Sequence, residues 1–310
     1  MNNLLIVLGV LGGLLAGAYG VAALQRLLDL GPRRVGTALV LPLTTAFSLL
    51  RQTDLTPRAA DGWLFHSAPL VALTTAALAA LVIPLGPDLL GFDPAIGLFY
   101  FVIVFGPFIV AVMNAGWGQN SKAGLFGTFR AAAHLLAYEV PFGFAVIGPV
   151  MAAGSLQVSR VVVAQSGLWY AVWQPLGLAL YLVSALFLTF RHPFDIPQAG
   201  SELGGGVLGE YSGPRLLLFR LALDGLFGVV MAMGVVLFFG GWQGPWLPPA
   251  VWMVLKTGAL AAAVLWATRF VPRLRQDQML SLAWKVLLPA ALLNVALVGI
   301  LALVILGGTP

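Results

Sequence analysis

The sequence predicts an all-α integral membrane protein, a bundle of about eight transmembrane helices with an interfacial helix after the first span and polar cytoplasmic loops. Mean hydropathy is +0.97 over 310 residues, more apolar surface than a soluble core of this size could hide. Apolar runs of about 20 residues, rich in Leu, Ala, Val and Gly, match the length at which a helix satisfies its own backbone across a bilayer, and are too long for barrel strands. The third observation is that the basic residues fall almost entirely on alternate loops.

The spans are expected at 3–24, 67–86, 95–115, 136–154, 171–190, 216–240, 251–270 and 286–307, within a single membrane domain of residues 1–310. The first begins with an apolar run and an Ala16-Gly17-Ala18 triplet that imitate a signal peptide. It has no positive n-region and further spans follow, so it is read as the first helix. The segment from Gln25 to His66 is about forty residues long, and its apolar middle, Val40 to Leu50, is too short to cross. It reads as an interfacial or re-entrant helix with Arg33, Arg34, Arg51 and Arg58 at the headgroups. No internal repeat is visible, and neither the Pro193-Phe194-Asp195 loop nor the Gly116-Trp117 segment recurs.

Fourteen of the sixteen Lys and Arg lie on the loops after spans 1, 3, 5 and 7 or on adjoining helix ends, leaving Arg160 and Lys256 on the other side. This asymmetry predicts cytoplasmic odd-numbered loops and both termini outside, in the inner (cytoplasmic) membrane. Dispersed between spans, the basic residues do not form a nucleic-acid patch. The acids follow them: Asp29, Asp54, Asp61, Glu139, Asp195, Glu202, Glu210, Asp224 and Asp277, against Asp88 and Asp93. Carboxylates contribute little to orientation, so their clustering points to a polar surface that binds something.

Cysteine is absent, which excludes disulfides, thiolate-ligated zinc and iron-sulfur clusters within this chain. His66, His134 and His192 lack metal-ligand spacing. Gly204 to Gly209 formally matches G-x-G-x-x-G. No strand precedes it and no suitably spaced acid follows, so its glycines are read as a tight backbone turn.

The polar loop from Arg191 through Asp195 and Glu202 to Glu210 stands between two apolar helices, where charge is costly and therefore marks a candidate site. Asp195, between Pro193 and Pro197, is placed at the mouth of a cavity with Arg191 as its expected partner. Glu139 enters an otherwise apolar helix and is a candidate proton carrier, with Arg130 and Lys122 as offsetting cations. The Arg269 to Arg275 cluster reads as a positive-inside anchor.

Several segments occur in an order that resembles one family, the H-type (also numbered 1) membrane protein of respiratory complex I. They are Gly31-Pro32-Arg33-Arg34-Val35-Gly36, Pro57 to Pro69, Ala115-Gly116-Trp117 with Asn120-Ser121-Lys122, and Leu125 to Arg130. Then come Tyr138-Glu139, Pro193 to Pro197, Ser201-Glu202-Leu203, Glu210 to Gly213, Phe239 to Trp242, Pro272-Arg273 and Trp284-Lys285. The resemblance covers essentially the whole chain. It implies a quinone tunnel and the start of a proton-coupling path in an NADH:quinone oxidoreductase, with no redox centre in this chain.

Quinone would be the substrate, contacted by Arg34, Arg191 and Asp195. Glu139, Glu202 and Glu210 would carry the proton response, supported by Arg130, Lys122 and Arg273. Flavin and iron-sulfur clusters would lie on partner subunits, and both membrane and peripheral subunits of a complex I type assembly are implied.

The chain departs from the family pattern at positions where charged residues, mostly carboxylates, are usual. It has Leu188 in the segment before Arg191, Gln198 and Gly200 after the Pro197 turn, and Thr45, Ser48 and Gln52-Thr53 in the interfacial segment. The acid of Ala222-Leu223-Asp224 comes one position late. These departures imply a divergent member. They leave open a hydrogenase-type anchor protein and, in another class, a stand-alone transporter.

Overall fold

The computed structural model describes residues 3–87, 91–195 and 204–306, and within them the regular secondary structure is entirely helical. Among the described residues, seven helical stretches are long and apolar enough to cross a membrane. They contain α1 (Asn3–Leu30), α3 (Gly62–Leu81), α4 (Gly97–Ile103) running into α5 (Phe105–Gly118), and α6 (Lys122–Ala153). The later ones are α10 (Gly213–Phe238), α11 (Pro249–Ala267), and α12 (Gln276–Leu282), which passes through a π turn (Ala283–Leu287) into α13 (Leu288–Leu306). The amphipathic α2 (Val35–Arg51) and the short α7 (Val158–Ala164), α8 (Tyr170–Trp173) and α9 (Pro175–Leu188) complete the set.

A helix lies in each of the expected stretches, with three informative differences. The fifth is broken: Pro175 cannot donate a backbone bond and keeps Gln174 out of helical geometry (φ −121°, ψ 50°), leaving α9 with 14 residues. That length, about 21 Å, falls short of the roughly 30 Å hydrocarbon core. The fourth begins at Lys122 rather than 136, because the Ser121 side chain accepts a bond from Gly124 N–H and starts the helix well before its apolar stretch. Likewise Asp61 caps α3 through Trp63 N–H, and the helix begins five residues before the expected start.

Helix α10 is the axis of the bundle. It packs against α1, α2, α3, α9 and α11, and 78% of its most apolar window is buried, against 22% for α1 and α11. An aromatic wall joins α6 to α9, where Tyr138 stacks on Phe187 and Phe187 on Phe194. Buried hydroxyls are satisfied by carbonyls of neighbouring helices: Tyr181 donates to Val230 O at 2.7 Å and Tyr211 to Phe65 O at 2.9 Å.

The loops gather at two ends, as the charge pattern requires. At one end Asp61 N–H bonds Gly118 O, Asn120 bonds Ala59 O, Leu55 N–H bonds Ser212 Oγ, and His192 contacts Val271 O. At the other, Leu98 N–H bonds Leu156 O, Asp93 accepts from Gln157 and Ser159, and Gln243 donates to Val162 O. The loops carrying nearly all the charge therefore form one face, and those carrying Arg160 and Lys256 the other.

Candidate functional site

On the charged face, α10 supplies the central groups. Arg220 and Asp224 lie four residues apart and so share one side of the helix. Asp224 is ion-paired with Arg191, which arrives just past the end of α9. The Arg191 guanidinium lies over the Phe227 ring at 4.9 Å, a cation-π contact that fixes its plane. Both charged side chains are largely covered, at 11% and 22% exposure, so each charge depends on the other for compensation.

Two cavities meet at this pair. The larger, about 740 Å³, lies between α1, α2, α10 and the 3₁₀ turn Thr268–Phe270. Its walls are apolar at Leu15, Ala18, Leu43, Ala46, Leu217 and Leu221, and polar at Gln25, Arg26, Asp29, Arg220 and Arg269. The smaller, about 430 Å³, is enclosed by Thr189 to Arg191, glycines 204, 205 and 209, Tyr211 and α10. Arg191, Arg220 and Asp224 line both. The arrangement suits a ligand with an apolar tail and a polar head, and the volumes are those of small-molecule sites.

The glycine turn frames the smaller cavity, as its composition suggested. Gly205 has φ +101°, and a Cβ there would come within 2.8 Å of Gly209 Cα, so only glycine allows the chain to fold so tightly. Tyr211 closes the turn by stacking on Phe65 at 4.2 Å. Burial pushes its phenol above the usual range, with Arg215 partly opposing, so it stays protonated as the donor to Phe65 O.

Further ion pairs tie the face together. Arg215 bonds Asp54 at 2.8 Å and Thr56 at 2.9 Å, joining α10 to the loop after α2. Arg269 bonds Asp29 at 2.6 Å, joining the end of α11 to α1, and Arg273 bonds Asp195 at 2.6 Å.

The expected site residues are only partly brought together. Arg191 lines both cavities, but its partner is Asp224 and not Asp195. Asp195 is paired instead with Arg273; it lines neither cavity, and its Oδ1 is buried without a hydrogen bond. Arg34 is exposed in the Pro32–Arg34 turn and lines neither cavity. Glu210 is exposed beside Gly209 and Tyr211 of the smaller one.

Glu139 is half-buried on α6, where Arg130 is nine residues away, about 14 Å along the axis, and Lys122 seventeen, about 26 Å. Lys122 is exposed at the first turn and Arg130 is partly buried. Glu202, Gln198 and Gly200 lie outside the described residues.

Sequence reasoning missed Arg220 as a cavity residue and Asp224 as the partner of Arg191. An Arg-x₃-Asp pair inside an apolar helix was the available signal. At the other departures, Leu188 is buried at 1% exposure, while Thr45 and Ser48 donate to Leu41 O and Thr45 O of their own helix.

A bundle of helices long and apolar enough to cross a membrane, with a chamber of mixed apolar and polar lining at its charged end, defines a polytopic membrane protein. Residues 6–299 match the family model described as NADH dehydrogenase. The H 1 subunit of NADH-quinone oxidoreductase from Geobacter metallireducens is 41% identical over 297 residues, covering 91% of this chain and 90% of that one. The H 2 subunit from Rhodopseudomonas palustris is 40% identical over 271 residues, covering 87% and 85%, and the H subunit from Bacillus thuringiensis is 37% identical over 308, covering 96% and 92%. The chain belongs to the NADH dehydrogenase family.

Proposed function

We propose that this chain is the H-type membrane component of an NADH-quinone oxidoreductase and that its larger cavity receives the quinone. The observation that carries this reading is the shared Arg191–Asp224 pair, at which an apolar-walled chamber and a polar pocket meet. The quinone tail would lie along α1, α2 and α10. Its headgroup would stand near Arg191 and Arg220, whose guanidinium donors suit carbonyl oxygens that gain negative charge on reduction.

Electrons must come from elsewhere, since this chain has no thiolate to hold a cluster. Iron-sulfur clusters therefore belong to partner subunits of the assembly, to which the flavin is assigned as well. Reduction would be felt by Asp224 through its partner, and by Glu139, Glu202 and Glu210 as proton carriers, with Asp195 and Arg273 holding the connecting loop. With α2 along the headgroups, the charged face is cytoplasmic and both termini lie outside.

In the assembled complex, Asp224→Asn is expected to lower quinone reduction at least tenfold while the complex remains intact. Unchanged turnover and unchanged KM for quinone would remove the chamber from the mechanism. Orientation can be tested directly, because the chain contains no cysteine. A single Ser212→Cys should react with an impermeant thiol reagent only from the cytoplasmic side, and Ser166→Cys only from the other; the reverse labelling would invert the topology.

A further inference from the structure

The break in the fifth membrane segment has a chemistry of its own, away from both cavities. Helix α9 starts at Pro175, so its first-turn N–H groups lack carbonyls within the helix, and the Gln174 side chain does not cap them. Gln174 and Asn294 of α13 meet here against Gly148 of α6 and Gly177 of α9. Both amide side chains are only 2% exposed.

Neither atom of the Gln174 amide has a hydrogen-bond partner, and Asn294 Nδ2 has none. Gln174 Oε1 and Asn294 Nδ2 lie against the same small region. The position a Cβ would take on Gly148 lies 2.9 Å from Gln174 Oε1 and 3.1 Å from Asn294 Nδ2, and that on Gly177 lies 3.2 Å from Asn294 Nδ2. Alanine at either glycine would crowd this space with a methyl group.

We propose that this three-helix junction is a buried water-binding site, in which water bridges Gln174 and Asn294. Interrupted backbone inside a membrane persists only where protein or water satisfies it. Each unpaired buried polar group is otherwise strongly unfavourable. Water fits the donor set: Gln174 Oε1 accepts while Gln174 Nε2 and Asn294 Nδ2 donate, within the two to four partners that a buried water needs. A cation does not fit, because two of the three unpartnered atoms are amide nitrogens, and the described residues contain no carboxylate or histidine cluster that would ligate a metal. An apolar ligand would leave all three unsatisfied.

The test is the assembled complex in lipid nanodiscs, imaged by electron cryomicroscopy at a resolution that shows ordered water. A density peak within hydrogen-bond distance of both amides is expected; a direct Gln174–Asn294 bond with no peak would overturn the site. Melting of the complex carrying Gln174→Leu, Asn294→Leu and both supplies a second arm. Shared water predicts that the double substitution lowers the midpoint no more than the worse single one, whereas additive shifts would count against it. If the variants fail to assemble, the peak in the unsubstituted complex still decides.

Discussion

The two ends of the bundle treat charge in opposite ways. At the sparsely charged end, Lys256 donates to the carbonyls of Phe239, Gly241 and Gln243 at 2.8, 3.1 and 2.6 Å and lies 4.7 Å from the Trp169 ring. Its three donors are fully engaged in closing the end of α10. At the other end, Arg191 and Asp224 are held against each other with cavities on both sides. A cation matched to fixed carbonyls is structural, whereas an ion pair exposed to two cavities can exchange its partner for a ligand.

Substitutions at the two ends should therefore separate activity from stability. The largest effect is expected for Asp224→Ala, which strands Arg191: quinone reduction by the assembled complex should fall by one to two orders of magnitude, read as turnover per intact complex. Lys256→Met is the reciprocal case. It should leave turnover per intact complex unchanged but lower stability by about 1–3 kcal/mol, read from thermal melting, because buried carbonyls lose their donor. If Lys256→Met abolished turnover without loss of stability, the division between the ends would fail.

A middle effect is expected for Arg215→Ala, which removes the Asp54 pair, the Thr56 bond and the contact over Phe65. Loosening the loop between α2 and α3 should raise KM for quinone several-fold and change kcat less. The smallest effect is expected for Asp29→Asn. That pair is the more exposed one, at 39% and 58%, and should contribute about 0–1 kcal/mol, read by melting at low and high salt.

How much of this was legible in the sequence follows from where each signal resides. Hydropathy placed a helix in each expected stretch because apolar character is read residue by residue, although the fifth is too short to count among the seven helical stretches long enough to span. It misplaced the start of α6 because the helix continues past the apolar stretch, with Lys122, Arg130 and His134 as ordinary helical residues. The break at Pro175 was written in the sequence as Gln174-Pro175, but the apolar residues on both sides concealed it. Of the site, Arg191 was recognisable from its cost in an apolar setting. Its partner was not, since Asp195 lies four residues away and Asp224 thirty-three; only the packing of α9 against α10 decides between them.

The Arg269–Asp29 bond also orders events during synthesis. The first helix contributes one wall of the larger chamber, yet the arginine it meets at the rim lies 240 positions later. A nascent chain threaded into the membrane as far as α10 thus carries an open groove with an unmatched aspartate at its rim. A chain that ended before α11 would lack Leu265, Thr268 and Arg269, and with them one side of the chamber.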